Sequence, residues 1–145
     1  MTGSGPIDAE RAFTRAARAR RRAALLCRLR GMRGGRLRVY DEGAIAPPGS
    51  GPVRGIREIP LDAITGTLEP SRVSMFDCAF RPTASARHRW QRLWLAEHRG
   101  HVLPPISVVR TGSGYAVRDG HHRVSVAKAR GALCIDATVD AVQAA

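Results

Sequence analysis

The chain has 145 residues, 43% of them apolar, and a formal net charge of +12. That length supports one domain with a modest core plus an extension, and with no run of about eighteen apolar residues a membrane-spanning helix is not expected. Its three cysteines, Cys27, Cys78 and Cys134, are odd in number and widely spaced, which argues against a disulfide framework or a zinc cluster.

Taken from the N-terminus, the opening residues lack the apolar core and cleavage site of a secretory signal, so a cytoplasmic location is expected. Residues 1–38 carry eleven arginines against Asp8 and Glu10. Such a surplus attracts polyanions, with DNA along residues 11–38 the expected partner. The arginine enrichment beside a single lysine, Lys128, equally fits the coding bias of a GC-rich genome. Residues 8–30 read as a helix with Asp8 as N-cap and Gly31 as its stop. Its apolar residues are sparse at first and denser toward the end, so it is expected to dock by its last two turns. Gly34-Gly35 and residues 47–52, rich in Pro and Gly, punctuate a linker. The division expected is a basic leader and linker over 1–52 and a domain over 53–145.

Residues 37–42 read as a brief strand or turn, and residues 57–64 as a strand. Residues 65–72 and 75–82 read as loop with a short helical turn. Over residues 84–99, Trp90, Leu93, Trp94 and Glu97 recur at helical spacing, a stripe best explained by core packing, with ligand stacking on either tryptophan as the alternative. Cys27 and Cys134 read as buried small hydrophobes, leaving Cys78 as the thiol to test. The five histidines, 88, 98, 101, 121 and 122, show no repeating ligand spacing, and no metal site is assigned to them.

Residues 106–110 and 115–118 read as two strands joined by the turn Thr111-Gly112-Ser113-Gly114. The alternation stops at Asp119-Gly120, and Val124, Ala127 and Ala129 follow at helical spacing up to Gly131. Gly120, His121, His122 and Arg123 therefore fall at a helix N-terminus, where unpaired N–H groups and the helix dipole favour an anion. Phosphate is the expected ligand: the N–H groups of Gly120 and His121 form a cradle, Arg123 clamps and His122 donates a hydrogen bond. The plainer alternative is a turn capped by Asp119 with solvated histidines. Residues 134–139 read as a last strand, completing an α+β domain with a small mixed sheet flanked by helices.

Three segments in this order resemble the ParB/sulfiredoxin-like superfamily: Ile59-Pro60-Leu61, Pro104-Pro105-Ile106-Ser107-Val108, and Gly120-His121-His122-Arg123. The chain is also similar to short bacterial ParB-like proteins that share an Asp-x-Ala-Phe-x-Pro segment, here residues 77–82, and an Arg-Asp-Gly-His-His-Arg turn. The resemblance implies a nucleotide triphosphate or diphosphate as ligand, with magnesium as its companion, and it places Arg72 beside the same anion. His121 stands where sulfiredoxin has its cysteine and where partition proteins have a glutamate, so neither chemistry carries over directly. A second implication, from the free-serine kinases, is phosphotransfer to a small hydroxylated molecule with Asp119 and Glu69 as the acids. A third alternative is a protein-interaction, antitoxin-like module.

Overall fold

Central to the fold is a hairpin whose first strand is buried on both faces. In the computed structural model, which describes residues 5–32, 35–41 and 53–141, β3 (Ile106–Thr111) turns through Gly112 and Ser113 into β4 (Gly114–Asp119). Ile106, Val108 and Val109 are fully buried, as expected of a central β-branched strand. Around them stand β1 (Val53–Pro60), β2 (Ile64–Thr67) and β5 (Cys134–Asp140). The sheet order is β1-β5-β3-β4-β2. β1 with β5 and β3 with β4 are antiparallel, whereas β5 with β3 and β2 with β4 are parallel. This mixed sheet with helices packed on it makes an α+β fold.

Among the described residues three α-helices accompany it: α1 (Gly5–Leu29), α2 (Arg87–His98) and α3 (His121–Ala129). Each ends alike, with a glycine of positive φ (Gly31, Gly100, Gly131) and a backbone bond spanning five residues, such as Met32 N–H to Cys27 O at 3.0 Å. That is the left-handed stop for which glycine is suited. Within α3, Val124, Val126 and Ala127 are buried, whereas Ala129 is exposed. The helix lies against both β3 and α2.

Two expectations about the elements are corrected. The leader helix begins at Gly5, and it docks by its first half: Gly5, Ala9, Phe13 and Ala17, four residues apart, are buried. Leu25, Leu26 and Leu29, near its end, are 57%, 51% and 75% exposed. Phe13 meets Trp90 edge to face, ring centroids 5.5 Å apart, and both belong to the main core with Leu37, Ile59, Phe76 and Val117. Burying one such phenyl ring contributes about 2–3 kcal/mol. The apolar density near the helix end misled because it does not say which end meets the domain. The second correction concerns residues 65–67, expected as loop, which form β2 along the edge of β4.

Residues 35–41 extend that edge. Tyr40 N–H donates to Thr67 O at 2.8 Å and Thr67 N–H to Arg38 O at 2.9 Å. Gly66 allows the approach, since a Cβ there would lie 2.4 Å from Arg38 O. The expected linker, residue 34 and residues 47–52, lies outside the described residues. Cys134, expected buried, is exposed at the start of β5, and Cys78 is also exposed.

Candidate functional site

Where β4 hands over to α3, Gly120 adopts φ 105°, a left-handed conformation that favours glycine. A Cβ at this position would stand 2.5 Å from Ile106 Cγ2, so glycine is required by packing as well. The first bond into the helix is Val124 N–H to Gly120 O, 3.0 Å. The N–H groups of His121, His122 and Arg123 thus have no acceptor inside the helix, and the positive end of its dipole lies here.

Both imidazoles are buried rather than solvated, 3% and 5% exposed. His121 Nε2 and Thr67 Oγ1 share a hydrogen bond of 2.6 Å, and the His121 ring stacks on Phe80 with centroids 6.4 Å apart. The His122 ring stands edge-on to Phe76 at 5.0 Å, and its Nε2 is buried without a hydrogen-bond partner. Burial, with Arg72 and the neighbouring imidazole adding to it, lowers the pKa of His121 from 6.5 to about 4 despite Asp119. Burial, then Arg89 and Arg72, lowers that of His122 to about 4 as well. Both rings are neutral at pH 7.

The segment over residues 77–82 positions these rings. Asp77 Oδ1 accepts the N–H groups of Ala79 at 3.0 Å and Arg81 at 2.8 Å, while Oδ2 pairs with Arg81 at 3.2 Å. Those bonds hold Phe80 at φ 59°, a conformation rare for a bulky side chain. The fully buried Phe80 ring is thereby aimed at His121.

Arg123 occupies the expected position but spends its donors on the fold. Nη1 donates to Pro104 O and Pro105 O, both at 2.7 Å, and Nη2 to Asp119 Oδ2 at 3.0 Å. The guanidinium, 12% exposed, ties the Pro-Pro segment to the first turn of α3. Arg72, in the 3₁₀ turn Pro70–Ser74, lines the same small pocket as Asp119, Gly120, His121, His122 and Arg123, with Leu93 and Arg89 of α2 completing it. The pocket measures about 10 Å³. The Nε of Arg72 is buried without a partner. Sequence reading missed Arg89 and Thr67. Nothing local marks either one, since only the docking of α2 and β2 brings them to the turn.

Glu69 is exposed, and it is not part of this pocket. The two acids expected for phosphotransfer are therefore not brought together there. Magnesium prefers carboxylate and other hard oxygen ligands. Asp119 is already engaged by Arg123, and among the described residues no group of three or more His, Cys, Asp or Glu could hold a metal. Among the described residues, no helix is long and apolar enough to cross a membrane.

No protein-family model matches the chain, and no curated protein matches it either. Among solved structures it is similar to the crystal structure of sulfiredoxin from Arabidopsis thaliana, with 20% identity, 59% of this chain and 83% of that chain covered, and a TM-score of 0.44.

Proposed function

We propose that this protein binds a phosphate-bearing ligand, inorganic or nucleotide, at the N-terminus of α3. The observation that carries this reading is His122, whose buried Nε2 lacks a partner in a pocket also lined by Arg72 and Arg89. An unsatisfied buried polar group costs about 1–3 kcal/mol, and a ligand oxygen at that nitrogen offsets the cost. A neutral imidazole protonated at Nε2 donates to an anion, the free N–H groups of the helix add to it, and the two arginines supply charge-assisted bonds. A volume of about 10 Å³ admits one oxygen-sized group. A terminal phosphate oxygen therefore enters, while the remainder of the ligand stays outside against the exposed Arg89.

Calorimetric titration of phosphate, ADP, ATP and CTP, with and without magnesium, tests this in the wild type and an Arg72→Gln, Arg89→Gln variant. Binding lost in the variant supports the site; equal binding by both proteins sinks it. Arg123 stays intact in this experiment, because its donors hold the Pro104-Pro105 segment and its substitution is expected to lower stability.

A second reading concerns nucleic acid, and it rests on the distal half of α1. Arg18, Arg21, Arg22, Arg28 and Arg30 are exposed beyond the docking stripe. Sequence-independent binding through phosphate contacts weakens steeply with salt. Fluorescence anisotropy with duplex DNA at rising salt, comparing the wild type with an Arg18→Gln, Arg21→Gln, Arg22→Gln, Arg28→Gln variant, decides it. Unchanged affinity and salt slope in the variant would dismiss the arm.

A further inference from the structure

Away from that turn, between α1 and the C-terminal half of α3, lies a much larger cleft of about 970 Å³. Its size is at the upper end of the range for small-molecule sites. The α1 wall is built of Ala12, Ala16 and Ala19, whose small side chains leave the space open. Facing them are Leu61, Phe80 and Pro82, an apolar wall of almost wholly buried side chains. Charge in the cleft is mostly positive. Arg81 and Arg130 are matched by Asp77 at 3.2 Å and Glu97 at 3.4 Å. Lys128, Arg11 and Arg15 also line it, and among the described residues none of the three has a carboxylate within ion-pair distance. Asp8 and Asp62 line it too, without closing on these cations.

Lys128 is the telling residue. It is half-buried, with its ammonium 5.5 Å above the centroid of the Phe80 ring. Burial lowers its pKa, an effect that Asp62 opposes and Arg81 reinforces. A partly desolvated ammonium with no carboxylate within ion-pair distance, Asp62 and Asp77 acting on it only from further off, favours an anionic guest at the edge of an open cleft.

We propose that the cleft between α1 and α3 binds a small amphiphilic organic anion, its carboxylate or phosphate head against Lys128 and its apolar body between the alanines of α1 and the Leu61, Phe80 and Pro82 wall. This site is separate from the phosphate pocket at the other end of α3, and it stands or falls independently of it.

The probe is 1-anilinonaphthalene-8-sulfonate, an aromatic sulfonate whose fluorescence rises in apolar sites. The wild type is expected to bind it saturably, and decanoate and decyl phosphate are expected to displace it, their relative potency naming the preferred head group. Uncharged decanol is expected to displace it far less well. Lys128→Met, which keeps bulk and removes charge, is expected to weaken binding about tenfold or more, the scale of one lost charge-assisted hydrogen bond. A second variant, Ala19→Leu, keeps the charge and fills the cleft from an exposed position of α1; it is expected to weaken binding too. Circular dichroism melting checks that both variants fold. Wild-type affinity in a folded Lys128→Met protein, or equal displacement by decanol and decanoate, overturns the proposal.

Discussion

Arg123 and the histidines before it show how one short motif divides its work between fold and site. The Arg123 guanidinium bridges Pro104 O, Pro105 O and Asp119, a planar fork that an ammonium cannot reproduce. Arg123→Ala is expected to cost about 1.5–3 kcal/mol, since the exposed Pro104 carbonyl and the half-buried Pro105 carbonyl lose a charged donor. Arg123→Lys should recover less than half of that in urea unfolding; full recovery would show that charge alone suffices. His121 and His122 make a different prediction. With folded-state pKa values near 4 against 6.5 unfolded, each ring takes up its proton in the unfolded chain first. Their contribution to stability is full above about pH 6.5 and is lost as pH falls toward about 4. Unfolding free energy should decline through that window, and His122→Leu should make the decline shallower. An unchanged slope in that variant would mean that His122 takes up its proton as readily in the native state as in the unfolded chain.

Helix α1 is where element and sequence part company. Its first half supplies Ala9, Phe13 and Ala17 to buried positions, while its second half offers arginines and three exposed leucines to solvent. Phe13→Ala is therefore expected to cost about 3–5 kcal/mol, the cost of a large cavity beside Trp90. Leu29→Ala, at a 75% exposed site, should stay within about 0.5 kcal/mol of the wild type. Denaturant titrations of the two variants separate the halves of the helix; equal effects would contradict the docking. Deleting residues 1–36 would remove Phe13 from the core, so arginine replacement is the cleaner probe of the arm. The Gly31 and Gly131 stops were legible because a left-handed C-terminus leaves a sequence mark. The pairing of β2 with β4 left none, since a short Ile-Thr-Gly-Thr run becomes a strand only once β4 stands beside it.

For the molecule as a whole, a net charge of +12 means that arginines repel one another across a small surface. Salt screens such repulsion within roughly 10 Å at about 0.1 M, and self-repulsion destabilises the compact state. The melting temperature should rise on moving from low to near-physiological sodium chloride, and rise further with phosphate if the α3 pocket is occupied. A fall in melting temperature with added salt would point to attractive pairs outweighing the repulsion.

Local features of the chain determined the turn and its helix: Asp-Gly ends a strand, Gly131 ends the helix, and His121, His122 and Arg123 must then fall in its first turn. They also determined the β3–β4 hairpin, through β-branched runs on either side of a short Gly-rich turn. Which of those side chains faces a ligand was decided only by tertiary structure. Arg123 is turned to the Pro104-Pro105 carbonyls because strand β3 begins beside the helix, and His121 is taken by Thr67 because β2 lies along β4. Arg72, Arg89 and His122 are left around the pocket by the packing of three separate elements. Spacing along a chain fixes which residues share a helix turn, whereas the partner each side chain finds depends on segments distant in sequence that packing brings within a few ångströms.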